Sequence, residues 1–173
     1  MWDPYLQKDV DKLEKVQRQG ARFIAQDYRS REPGCVTKML QLNQLPTLQT
    51  RRKEIRLKTM YQIVEDRTPA LPFANFLEFE KANKRKVKPK RFQDCISQNP
   101  MEKYAINNTR GLKVPVATKE AYKNSFFIKT AIDWNELPEN VVTAPSVDAF
   151  TGAVRAYISS QTAGGAALLA APQ

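Results

Sequence analysis

The sequence predicts a mostly α-helical single domain of about five helices, with a basic loop region, at most a short edge strand and a disordered C-terminal tail. Three observations carry this expectation. Apolar residues recur at helical spacing in separate windows. Proline and polar clusters, such as Arg29 to Gly34 and the pair Pro69 and Pro72, punctuate those windows. Only Leu112 to Val116 carries a β signal, and Pro115 excludes it from a central position in a sheet. With 173 residues, 42% of them apolar, the chain can bury one modest core without disulfides or metals.

The first helix is expected from an Asp9 cap to about Tyr28, with Val10, Leu13, Val16, Gly20, Phe23 and Ile24 on its inner side. Lys15, Arg18 and Arg22 fall on the opposite side, joined by Lys8 and Lys12. A short helix follows over Val36 to Leu42, and Pro46-Thr47 opens a third from about Leu48 to Glu65. Leu57, Met60, Tyr61 and Val64 form its apolar stripe, while its front half holds Arg51, Arg52, Lys53, Arg56 and Lys58. Phe73, Phe76, Leu77 and Phe79 form a small apolar cluster.

Ser125 to Leu137 reads as a helix apolar on most of its circumference, hence central to a core, and Pro138 ends it. Ser146 caps the last helix, whose stripe is Val147, Phe150, Val154 and Ile158. The expected core is Leu13, Phe23, Tyr61, Phe127, Trp134, Leu137 and Phe150. After Ser160 the Ala- and Gly-rich run reads as a tail. The expected organisation is therefore 1–80 and 120–160 as helical parts packed together, 81–119 as a basic linker and 161–173 as tail.

Charge narrows the function. Lys and Arg number 28 against 18 Asp and Glu, giving +10 and a pI near 9.7. Such an excess favours polyanions, nucleic acid or an acidic membrane surface. There is no histidine, no glycine-rich phosphate loop and no adjacent pair of aspartates, and Cys35 and Cys95 stand alone. Two lone cysteines cannot complete a structural zinc site, and without histidine neither has a base to activate it. No metal, cofactor or catalytic residue is expected. The N-terminus does not read as a signal peptide, and the Ala-rich run is too short to span a membrane. The expected location is intracellular, nuclear or cytoplasmic, with no membrane partner.

Candidate nucleic-acid-binding residues are Lys15, Arg18, Arg22, Arg51, Arg52, Arg56, Lys84, Arg85, Lys86, Lys88, Lys90 and Arg91. The first three form a ladder suited to backbone phosphates, which position a protein without specifying sequence. The block from Lys84 to Arg91 suits a nucleic-acid arm or a nuclear-localisation-like patch, and equally a solvated loop.

A longer pattern runs through the chain. Trp2-Asp3-Pro4-Tyr5, Asp11 to Arg18, Ala21 to Ile24 and Asp27-Tyr28 are followed by Leu45 to Leu48 with Arg51-Arg52. Tyr122 to Phe127, Asp133-Trp134-Asn135, Leu137-Pro138, Val141-Val142, Ala144, Ser146 and Phe150 come next. In that order they resemble the thumb and post-thumb segment of non-LTR (LINE-type, jockey-like) retrotransposon reverse transcriptases, over about residues 2–158. The resemblance is interrupted by the basic stretch around 81–110.

The resemblance implies a fragment of an RNA-directed DNA polymerase. Its partners would be RNA and/or DNA and the remainder of a reverse transcriptase. The family's metal-binding palm aspartates and its endonuclease have no counterpart here, so no catalysis is expected of this chain alone. Two departures stand out. Phe127-Ile128-Lys129-Thr130 replaces the family's common Phe-Pro-Arg-Thr, and Thr151-Gly152 follows Phe150 where a basic residue is usual. These departures and the abrupt start near Trp2 suggest a truncated, decayed or recombined copy. The function expected is non-catalytic, sequence-independent grip on template and primer phosphates. The alternative is a protein–protein interaction module or an inert remnant.

Overall fold

Where apolar side chains recur at helical spacing the backbone is helical, in a computed structural model that describes residues 3–80 and 106–168. The elements are α1 (Gln7–Ile24), α2 (Cys35–Leu42), α3 (Leu48–Val64), α4 (Phe73–Phe76), α5 (Glu120–Lys123), α6 (Phe126–Asn135), α7 (Glu139–Val142) and α8 (Val147–Leu168). The fold is mostly α. Among the described residues α4, α5 and α7 are single turns of four residues, and the other helices have eight or more. The basic run Lys84 to Arg91 lies outside the described residues.

The expectation of at most a short edge strand holds among the described residues. There it is reduced to one antiparallel bridge, Phe79 with Leu112. Two causes are visible. Pro115 lacks an N–H to extend the ladder beyond Leu112, and on the side of Leu112 turned away from Phe79 the Asn135 side chain takes both backbone groups, so no further segment pairs there. Leu112 N donates to Asn135 Oδ1 at 2.7 Å, and Asn135 Nδ2 donates to Leu112 O at 2.8 Å. The last helix, α8, continues to Leu168.

The chain divides into two compact units, Met1–Ile55 and Arg56–Gln173, so the division falls inside α3. In the first unit α1 packs on α2, with Val10, Ala21 and Met39 buried. Leu6, not Asp9, occupies the N-cap of α1; Asp9 lies in the first turn, favourably placed for the helix dipole. The start of α3 is capped twice. Thr47 Oγ1 accepts from Thr50 N at 3.1 Å, and Glu14 Oε1, reaching from α1, accepts from Gln49 N at 3.0 Å.

Phe23, expected in the core, is 71% exposed, and Leu13 is only half-buried. The apolar stripe of α1 is wider than the face α2 covers. At 3.6 residues per turn Phe23 lies about 200° round the helix from Ala21, so both cannot face α2. The helix also stops at Ile24, short of Tyr28. Gln26 adopts φ 51°, Asp27 N donates to Arg22 O and Gln26 N donates to Phe23 O. This is the Schellman arrangement, which gives the Arg22 and Phe23 carbonyls their partners.

The second unit holds the larger core, with Leu57, Met60, Tyr61, Trp134, Leu137 and Phe150 among its fully buried members. Tyr61, Phe150 and Trp134 stack in series, with centroid separations of 4.4 and 5.8 Å. The polar atoms of the two amphipathic rings are satisfied: Tyr61 OH donates to Ala144 O at 2.6 Å and Trp134 Nε1 to Arg110 O at 2.9 Å. Phe127, expected in this core, sits half-buried at its edge. Ser146 Oγ caps α8 by accepting from Ala149 N at 3.2 Å.

Candidate nucleic-acid interface

The basic candidates separate by what their charges touch. On α1, Lys8, Lys12, Lys15 and Arg18 are exposed. Lys8 to Arg18 spans about 15 Å at ~1.5 Å rise per residue, which is the reach of several successive phosphates. Lys12 Nζ lies 3.2 Å from Asp9 Oδ1, an exposed i,i+3 pair. Such pairs contribute only about 0.3–0.5 kcal/mol, so this one exchanges readily for a phosphate. Asp11 stands among these cations, and its carboxylate accepts from Gln7 Nε2 at 2.8 Å.

Arg22, the third member of the expected ladder, is half-buried and turned toward the loop that follows α1. Its Nη1 donates to Asp27 O at 3.3 Å and its Nη2 approaches Cys35 Sγ at 3.5 Å. That loop is itself ordered by Asp27, whose Oδ1 accepts from Ser30 N and Arg29 N. The hydrogen bonds from Ser30, then Arg29 and the nearby Arg22 charge, hold the Asp27 carboxyl below its ordinary value.

α3 divides its basic residues in the same way. Arg51 is exposed. Arg52 Nε pairs with Asp3 Oδ1 at 3.1 Å, with both side chains largely buried. Arg56 is 4% exposed, and its Nη2 meets Asp133 Oδ2 at 2.7 Å. An arginine so placed serves the fold, because freeing it for a phosphate would leave Asp133 without it in a partly buried setting. Arg22, Arg52 and Arg56 are therefore structural, and Lys15, Arg18 and Arg51 remain available. Lys84, Arg85, Lys86, Lys88, Lys90 and Arg91 lie outside the described residues.

Asp133 and Asn135 brace α6 from two sides, one toward Arg56 and the other toward Leu112. Arg29 and Arg31, exposed in the loop between α1 and α2, and Lys38, exposed on α2, are further surface cations outside the expected set. In the sequence the Arg29-Ser30-Arg31 run is legible only as a helix break. Among the described residues no cluster of His, Cys, Asp or Glu could hold a metal ion, and no helix is long and apolar enough to cross a membrane. No protein-family model, curated protein or solved structure matches the chain.

Proposed function

We propose that this chain is a non-catalytic nucleic-acid-binding module that grips backbone phosphates without sequence specificity. The observation that carries the reading is the exposed ladder Lys8, Lys12, Lys15 and Arg18 on a single face of α1, in a chain of net charge +10. Ammonium and guanidinium groups on a rigid helix neutralise phosphates and release counterions, whatever the bases. The likeness to the thumb and post-thumb segment of LINE-type reverse transcriptases supports the same reading. It adds RNA–DNA template and primer as the polyanion, the remainder of a reverse transcriptase as the partner, and a nuclear or cytoplasmic setting.

The test replaces Lys8, Lys15 and Arg18 together with Gln, sparing Arg22 because it holds the adjacent loop. Fluorescence anisotropy against duplex DNA, single-stranded RNA and an RNA–DNA hybrid is expected to show binding about tenfold weaker or more, with an unchanged helical circular-dichroism spectrum. Wild-type affinity in this variant removes α1 from the interface.

One observation favours a second reading, a protein–protein module. Val16, Phe23 and Ile24 leave the apolar side of α1 uncovered within its unit. Concentration-dependent self-association, or capture of a protein abolished by Phe23→Ser, would support it.

A further inference from the structure

The second unit carries an open groove of about 270 Å3, lined by Asn75, Phe76, Glu78, Lys113 and Pro115 among others. It exists because two segments joined at one bridge diverge. At the join, Lys113 N donates to Glu78 O at 2.9 Å and Glu80 N to Gly111 O at 2.8 Å. Away from it, α4 turns off at Phe76, and Pro115 has no N–H with which to continue the pairing.

The Phe76 ring lies nearly parallel to that of Phe127, with centroids 5.3 Å apart and planes 4° apart. Phe127 is held in turn by the edge-on Phe126 ring at 5.2 Å. Phe76 is thus backed on one side by Phe127, remains 46% exposed and lines the groove. A large apolar ring held in this way is a preformed platform on which a further flat ring extends the stack.

We propose that the groove is a stacking site for one unpaired nucleobase of a single-stranded nucleic acid. The base lies on Phe76, the Asn75 amide meets its hydrogen-bonding edge, and Lys113 reaches an adjoining phosphate. The volume suits a single ring system, since it falls just below the ~300 Å3 at which drug-sized sites begin. Lys113 Nζ now sits 3.0 Å from Glu78 Oε2, with both side chains well exposed. Exposed pairs of this kind are weak, so exchanging the carboxylate for a phosphate costs little. Glu78, once released, is an acceptor for the exocyclic amino groups of adenine or cytosine. A duplex keeps its bases stacked internally and cannot use the platform, so the groove distinguishes single strands from duplex. The inference rests on the nucleic-acid reading above and adds a second contact, remote in sequence from the α1 ladder.

The test uses the full chain and short single-stranded DNA and RNA oligonucleotides carrying the fluorescent adenine analogue 2-aminopurine, with a duplex of the same sequence as the second arm. Stacking on Phe76 quenches the analogue. Phe76→Ala is expected to abolish the quenching and weaken single-strand binding about tenfold, while duplex binding holds. Phe76→Trp is expected to restore both, which separates lost stacking from a damaged fold. Unchanged quenching and single-strand affinity in Phe76→Ala, with duplex binding intact, overturns the groove and leaves the phosphate reading standing. Absence of binding to every oligonucleotide overturns both. Equal effects on the DNA and RNA arms assign the site to the base alone; a larger effect on RNA adds the ribose hydroxyl to what it recognises.

Discussion

Asn135 gives both ends of its amide to the backbone of Leu112, and the bonded groups are buried. Replacing it with Leu keeps the volume and strands two backbone groups that water cannot reach. The expected loss is about 2–4 kcal/mol, read from urea denaturation. Glu139 acts at the surface. It accepts from Thr109 Oγ1 at 2.6 Å and from Thr109 N at 2.7 Å. These bonds, with the Arg110 charge nearby, hold its carboxyl below the ordinary 4.5. A carboxyl depressed in the folded state contributes stability above its unfolded pKa and loses it as pH falls through the folded value. The stability difference between wild type and Glu139→Gln should therefore be full near neutrality. It should shrink below about pH 4.5 in denaturant titrations, and a difference that grows on acidification would refute the role given to Thr109.

Among the helices, α1, α2 and α3 end the same way. Gln26, Gln44 and Asp66 sit at φ 51°, 52° and 53°, each closing a pair of capping bonds that begins a turn earlier. Glycine occupies this position without the steric penalty an L side chain meets there. Gln44→Gly is expected to raise stability by about 0.5–1 kcal/mol, and a loss would show that the Gln44 side chain contributes more than its backbone costs. These ends were hidden in the sequence because the residues at the turns are Gln and Asp rather than Gly. What could be read were features set by near neighbours: the Val147, Phe150, Val154 and Ile158 stripe, the Ser146 cap, and the Leu57, Met60, Tyr61 and Val64 stripe. Arg56 looked like an exposed member of a basic run because Asp133 lies far along the chain. The Phe76 and Phe127 stack is illegible in the sequence for the same reason, since only the folded backbone brings those rings together.

At the scale of the molecule, buried apolar side chains are unevenly shared. Among the described residues Val10, Ala21 and Met39 are those of the first unit, and Leu57 to Ile158 belong to the second. Amide exchange should follow that division. Backbone amides of α6 and the second half of α3 are expected to be protected close to the global limit, and those of α1 and α2 to exchange through smaller openings. Equal protection throughout would mean that the first unit has more cohesion than its burial implies. The phosphate ladder sits on the less buried unit, and the proposed stacking groove on the other. Direct binding of phosphates by the exposed cations on α1, as proposed, is read in the salt dependence of duplex binding by the wild-type chain. A linear fall of log K with log salt of slope about −3 to −4 is expected, reduced in magnitude by about 3 when Lys8, Lys15 and Arg18 are Gln. A slope near zero, or one that the substitutions leave unchanged, would contradict it.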